Sequence, residues 1–528
     1  MKRRTFLKLA AVLPLAGRVL AAPAETGSPL AATTTRFGTT RSGEGPWSGD
    51  EFTLPHRFIR DHEALPAATD EGPVHDVIVV GGGPSGLIAA WMLKELDVLV
   101  LEKDRTAGGT SKSETWNGIP YAIGAAYFGV PERGSAIDRM YRSLGMHQHW
   151  RTFADRDEGI FRGAKLEMGF WDRPDAKDIA SALGAMNEHR YTEVPFTAND
   201  VWTADEMAQL DRMTWAQLLE QGVPAQRGQP PVKLPPAIRE FCSWFAPAVT
   251  GARPEEVSAW VMLNQFLAEF GPLAALPGGN GWITQRLVEE IDAVKPGRVR
   301  PGHMAVSVET AGDRVRVVTM GADGRARTHT AKAAIFAGPK FVAARIVKGL
   351  PPEQIDAITQ LLYRPFVVAN VLLKKPVMDR NVYDAYTKDL PPGSEMSDIT
   401  FADYAIQAKG PSSVLTCYFP LPRDDARAQL LDPARLPFLR KQLTTDLLAV
   451  LGPRGLTSGD IVDMRFTRWG HPMIVAKPGQ LSAGVFARAS APSGRVSFAH
   501  QDNMGNPCIE SSFAAAQAAV RHARELVG

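Results

Sequence analysis

Cysteine is scarce: Cys242, Cys417 and Cys508 are the only three in 528 residues. Odd in number and widely separated, they fit neither a disulfide framework nor a zinc site, so no metal is expected. Net charge is also nearly absent. The formal value is +2, and residues 1–24 hold five cations, Lys2, Arg3, Arg4, Lys8 and Arg18, and no acid. Without that segment the balance is −3, which leaves no basic footprint for nucleic acid. Internal repeats and long low-complexity tracts are missing too. With 45% hydrophobic residues, a chain of this length can bury the cores of two joined domains.

Residues 75–102 are the most informative stretch present. An apolar run at 77–80 enters the turn Gly81-x-Gly83-x-x-Gly86, an apolar helix runs to about Leu96, and a second apolar run at 98–101 ends on Glu102. Gly81 permits a tight turn out of the strand, Gly83 lets a pyrophosphate approach the backbone, and Gly86 allows close helix packing. The helix start, at Pro84 and Ser85, turns free amides and the positive dipole end toward phosphate. Glu102 stands 21 residues after Gly81, where a carboxylate can accept bonds from adenosine ribose hydroxyls. The unit predicts dinucleotide binding.

Beyond Glu102 come Lys103, the pair Gly108 and Gly109, and the run from Gly118 through Tyr121, Gly124 and Ala125 to Ala126. Near the other end, Arg495 to Ala499 leads past Asp502 to a helix expected from Ile509 to about Leu526. With these motifs, the chain resembles the flavin-containing amine oxidase superfamily over most of residues 75–528. The resemblance implies FAD rather than NAD. It places Gly108, Gly109 and Thr110 by the pyrophosphate, Gly124 and Ala125 close to the cofactor, and Ala305 by the adenine. Asp502, Ile509 and Glu510 fall at the ribityl chain and flavin. Thr110 stands where the family usually has an arginine. No cysteine follows Trp469 at the family's covalent attachment position, which implies noncovalent FAD.

The amino terminus carries Arg3 Arg4 Thr5 Phe6 Leu7 Lys8, a moderately apolar stretch at 9–16, and small residues at Ala21, Ala22 and Ala24. This pattern resembles a twin-arginine export signal, cleaved after about Ala22 or Ala24. An uncleaved anchor is the alternative, but the apolar stretch is far below the ~20 residues that span a bilayer. Export by the twin-arginine machinery to the periplasm or the exterior is therefore expected.

The expected fold is α/β: a doubly wound Rossmann-like FAD-binding domain joined to a discontinuous substrate domain of mixed sheet and helices. The signal peptide takes residues 1–24 and an extended surface arm 25–74. The FAD-binding domain takes 75–150, 273–345 and 461–528, and the substrate domain 151–272 and 346–460. Seven of the eleven tryptophans lie between residues 150 and 282; they either pack a helical lobe or line a substrate cavity. Helices are expected around Trp215, Leu218 and Leu219, and from near Pro254 through Phe266. Strands are expected at 304–309, 314–319, 366–373 and 413–419.

Flavin chemistry asks the protein chiefly to orient the oxidised carbon and exclude competing reactions. The resemblance places Trp469 and His471 near the flavin ring. His471 is either a group titrating near neutrality, acting as base or hydrogen-bond donor, or a structural histidine in a turn. His500 is a weaker candidate. Cys508 either faces substrate or is an inert buried thiol. Asn370 takes the place of a lysine that amine oxidases bond through water to the flavin, and residues 504–508 lack the aromatic residue of the family's amine cage. The activity implied is hydride removal from a carbon beside an amine nitrogen of a small molecule, with electrons passing to oxygen or a periplasmic carrier. A desaturase or dehydrogenase acting on carbon–carbon bonds of an apolar substrate, or a non-catalytic flavoprotein, are the rival readings.

Overall fold

The computed structural model describes residues 47–190, 202–224 and 231–528. The expected signal peptide and the first part of the arm lie outside the described residues. Among those described, no helix is long and apolar enough to cross a membrane.

The architecture is α/β and rests on two large sheets. In the first, the strands run in the order Val299–Arg300, Val98–Leu101, His75–Val80, Ala326–Phe336, Arg314–Gly321 and His303–Ala311. Val77, Val79, Val98 and Val100 are fully buried or nearly so, as β-branched residues of parallel strands covered on both faces should be. The helix after the glycine turn, Pro84–Met92, ends sooner than the periodicity suggested, and Leu93 is its C-cap. It packs beside Gly281–Val294 and the final helix Ile509–Val527.

An early strand and a late one meet on a single central strand. Ala334, Ile335 and Phe336 pair in parallel with Ile78, Val79 and Val80 on one side. They pair with Val496, Ser497 and Phe498 on the other.

The second sheet runs Trp47–Gly49, Ile461–Val475, Leu362–Leu373, Ser413–Pro420, Asp398–Phe401, Asp384–Lys388, Glu158–Arg162 and Lys165–Met168. Alternation divides its central strand cleanly. Val367, Ala369 and Val371 share a core with Leu439, Leu443 and Leu447 of the Arg435–Leu451 helix. Phe366 and Val368 belong to a different cluster, with Trp469. The long strand Ile461–Val475 thus sits in this second sheet, although residues 461–528 were assigned wholly to the FAD-binding part; its neighbour is Leu362–Leu373.

The helical lobe settles the tryptophan question in favour of packing. Trp202, Trp215 and Trp260 are buried in one apolar cluster with Phe241, Phe245 and Phe266, and the Trp215 indole donates to the Cys242 carbonyl at 2.8 Å. The helix expected from near Pro254 begins only at Ala259, because the Ser258 hydroxyl caps it.

Residues 47–74 are more than an arm lying on the surface. Trp47–Gly49 adds a parallel strand to Ile461–Val475, Asp50 Oδ2 accepts the Gly470 amide at 2.8 Å, and Ile59 is buried in the core of the first sheet. Replacing Asp50 with alanine leaves that amide without its partner. The substitution is expected to lower unfolding free energy by about 1 kcal/mol, measured by urea titration of the full chain.

Candidate active site

A cavity of about 610 Å³ runs between the two sheets. Its first half is the glycine turn. Gly81 has φ +111°, a conformation that favours glycine, and its amide donates to Leu101 O at 2.8 Å. A side chain on Gly86 would collide with the Gly81 carbonyl, so this glycine serves helix packing and does not line the cavity. Gly108 acts similarly: its amide donates to Gly82 O at 2.7 Å, which ties the second glycine pair to the turn. A Cβ on Gly109 would sit 3.0 Å from Gly83 Cα, and one on Gly124 would collide with the Thr110 carbonyl. Bare backbone from three segments therefore forms one narrow cradle, as a pyrophosphate requires.

Glu102 closes the cradle's far end. Its carboxylate accepts the Gly82 amide at 2.7 Å and the Asp104 amide at 2.8 Å, and lone pairs remain for ribose hydroxyls. Burial, then the neighbouring Asp104, raises its pKa. Lys103 and Lys112 both bond Asp104, at 2.6 and 2.7 Å, so Lys103 neutralises a carboxylate beside the cavity. Pro84, Ser85, Thr110, Ala125 and Ala305 also line the wall.

The last helix contributes at its start. Cys508 is the N-cap, its sulfur accepting the Ser511 amide at 3.4 Å, and burial pushes the thiol pKa up. Cys508 lines the cavity and is only partly buried, so it faces the site, while its raised pKa and capping role make it a poor nucleophile. Ile509 lines the cavity, while Glu510 accepts the Gly129 amide at 3.2 Å.

Two expected site residues face elsewhere. Asp502 is 1% exposed and accepts the Tyr363 hydroxyl at 2.6 Å and the Lys340 amide at 3.1 Å, with His500 Nδ1 2.8 Å away. Burial alone would raise its pKa, yet His500, Lys340 and the Tyr363 bond bring it below the usual range. It is a buried anchor behind the wall, not a ribityl ligand. Asn370 is fully buried and donates to Ala122 O and Thr416 Oγ1, both at 2.9 Å. Its side chain clamps strands together and does not reach the cavity.

At the other half of the cavity, Trp469 Nε1 donates to Ile123 O at 2.8 Å. Tyr418 donates to Gly124 O at 3.0 Å. His471 stacks on Phe341 with ring centroids 4.4 Å apart. Burial, with Arg427 beside it, pushes the imidazole down to about 4, so it is neutral near pH 7, which favours the structural reading of His471 over a group titrating there. Sequence reasoning missed Tyr127, Glu269, Asp384, Tyr386, Asp398 and Tyr418, all of which line this half. Asp384 inside the otherwise apolar and aromatic run 382–386 was the available signal. Among the described residues, no three potential metal ligands converge.

With this geometry, the profile of the flavin-containing amine oxidoreductase family matches residues 84–520, and the chain belongs to that family. It is an FAD-binding oxidoreductase, and the glycine cradle fits that cofactor. Among relatives, oxidoreductase PigB of Serratia is 25% identical over 530 residues, covering 87% of this chain and 77% of that one. Flavin-containing amine oxidase A of Bos taurus is 25% identical over 320 residues, 57% of this chain and 56% of the relative. Among solved structures, cyclohexylamine oxidase from Brevibacterium oxydans aligns with TM-score 0.62 at 18% identity, covering 86% of this chain and all of the other. Wild-type putrescine oxidase bound to putrescine aligns with TM-score 0.62 at 17% identity, covering 85% of this chain and 98% of that one.

Two measurements test the site. Gly109→Val places a branched side chain against Gly83 and should abolish FAD retention, read as loss of flavin absorbance from the purified, folded protein. For His471, a folded pKa of about 4 against an ordinary 6.5 means the unfolded state binds more protons between those values. Its contribution to stability is then complete above pH 6.5 and is lost as pH falls toward 4. His471→Phe should flatten the stability–pH curve in that window.

Proposed function

We propose that the protein is an exported amine oxidase or dehydrogenase, removing a hydride from the carbon beside an amine nitrogen. The observation that carries the reading is the aromatic wall of Trp469, Tyr418 and Phe366. It hangs on the Ile123 and Gly124 carbonyls and stands in the same cavity as the glycine cradle. Bound FAD supplies the hydride acceptor. With FAD bound, the wall of Trp469, Tyr418 and Phe366 would hold the carbon beside the nitrogen toward the cofactor, which would accept the hydride, while the unprotonated nitrogen would supply the lone pair of the carbon–nitrogen double bond and release one proton.

The protein's own work is orientation and exclusion of water. Trp469 and Tyr418 fix two faces by their hydrogen bonds, and neutral His471 adds an imidazole face without adding charge. FAD is held noncovalently in this reading, since Cys242 and Cys417 are buried and Cys508 caps a helix. Asn370, locked between Ala122 and Thr416, offers no cation toward the flavin, which weakens the case for oxygen against a periplasmic carrier as electron acceptor. The Arg3 Arg4 pattern supports delivery of the folded holoprotein to the periplasm.

Anaerobic mixing of the holoprotein with a panel of alkylamines should bleach the oxidised flavin band. Bleaching only by apolar alkenes or steroids would replace amine oxidation with carbon–carbon dehydrogenation. Separately, replacing Arg3 and Arg4 together with lysine should retain the protein in the cytoplasm, scored by fractionation.

A further inference from the structure

Residues 50–60 lie outside the family match, which begins at residue 84, yet they form one side of the cavity that holds the cradle. Asp50, Glu51, Phe52, Pro55, His56 and Ile59 all line it. Both ends of this segment are fixed. At the first, Trp47–Gly49 pairs with the second sheet, Ser48 Oγ lies 2.7 Å from Thr467 Oγ1, and the Asp50 amide donates to Arg468 O at 3.1 Å. At the other, Ile59 is buried among Val80, Leu101, Met304 and Ala305 of the first sheet. The segment therefore crosses the cavity from one sheet to the other.

Between its anchors it passes the end of the cradle that Glu102 closes. Lys103, next to Glu102, donates from Nζ to Glu51 O at 3.2 Å and lies 3.9 Å from Asp50 Oδ1. Two short helical turns follow, Thr53–Pro55 and His56–Arg60. They put Pro55, His56 and Ile59 on the cavity side and leave Arg57 and Arg60 exposed, paired with Glu63 and Asp61. The Phe52 ring lies 5.0 Å from the His56 ring and 4.5 Å from the Arg468 guanidinium.

Charge decides whether such a face can lie against a dinucleotide. Free carboxylates would repel a pyrophosphate, and the segment opens with two acids. Neither is free. Asp50 accepts the Gly470 amide and faces Lys103, while Glu51 turns its carboxylate back onto the Thr53 amide at 2.6 Å. Lys103 and Arg468 add positive charge beside them. What remains toward the cavity is apolar or aromatic, Phe52, Pro55, His56 and Ile59, and suits the flat faces of an adenosine. Phe52, Pro55 and His56 are only half-buried, which leaves each a surface for a ligand to cover. A segment that merely braced the two sheets would need no side chains in the cavity.

We propose that residues 50–60 belong to the FAD site, as a strap over the adenosine half of the cofactor that must lift before FAD can leave. Phe52, His56 and Ile59 are its cofactor-facing residues. The strap is held by packing and hydrogen bonds alone, so it lifts by local opening while both sheets stay folded. Noncovalent FAD is then retained by a kinetic barrier in addition to its contacts with the cradle.

The experiment measures FAD release from the diluted holoprotein as recovery of free-flavin fluorescence. Phe52→Ala and Ile59→Ala should each release FAD about tenfold faster than wild type, and His56→Ala, the mildest of the three for folding, about threefold faster. Leu439→Ala opens a hole in the core on the far face of the second sheet, and its release rate should stay within about twofold of wild type. In the wild-type holoprotein, the logarithm of the release rate should climb linearly with urea below the unfolding transition, because denaturant favours a step that uncovers buried surface. If either buried-side variant fails to fold, His56→Ala and the wild-type urea series decide. Arm variants that release FAD at the wild-type rate, a Leu439→Ala rate that matches theirs, or a release rate indifferent to urea overturns the strap. FAD binding at the glycine cradle stands in each of those cases.

Discussion

Three parallel strands hold the site in one piece. Ala334 to Phe336 are clasped by the strand that opens the glycine turn and by the strand that precedes the last helix. Gly81 follows the first of these, and Ile509 lies a short loop beyond the second. Displacing either strand would separate the phosphate cradle from the helix start that faces it. The same three strands anchor Asp502, since it receives the Lys340 amide just beyond Phe336 and the Tyr363 hydroxyl from the second sheet. Its buried charge is stable there only because hydrogen bonds and His500 surround it.

The cofactor half of the site was legible because its physics is local. A tight turn, a close backbone approach and a carboxylate at a strand end each leave a residue at fixed spacing, so Gly81, Gly83 and Glu102 could be read directly. Gly86 is legible as a packing glycine from the same spacing, whereas Gly108 is expected by the pyrophosphate and instead lies behind the cradle, since its bond to the Gly82 carbonyl is not encoded by spacing. The α/β class was likewise accessible from the strand–turn–helix–strand unit at 75–102, and the joined second domain from the family resemblance. The final span of the FAD-binding part was less so, because Ile461–Val475 reads as any long strand and its neighbours decide its sheet.

The substrate half resisted for the complementary reason. Asp384 and Asp398 become neighbours of the cavity through pairing with Glu158 and Tyr418, residues far away in sequence. Asn370 shares the strand face of the cavity-lining Phe366 and Val368, but the Ala122 carbonyl and the Thr416 hydroxyl take its side chain, and spacing does not reveal those partners. The sequence leaves His471 open between a titrating and a structural group because it does not reveal Phe341 against its ring or Arg427 nearby. Chemistry here is written in tertiary contacts, and only Asp384 in its apolar and aromatic run hints at it.

The strand Val496–Phe498 arrives late in synthesis, and its partner Ala334–Phe336 is made long before it. Throughout translation of residues 337–495, one hydrogen-bonding edge of that apolar partner has no native neighbour. An exposed apolar edge is a template for pairing with other chains. Closure of that edge, and with it the joining of the glycine turn to the last helix, therefore waits until the chain is nearly complete.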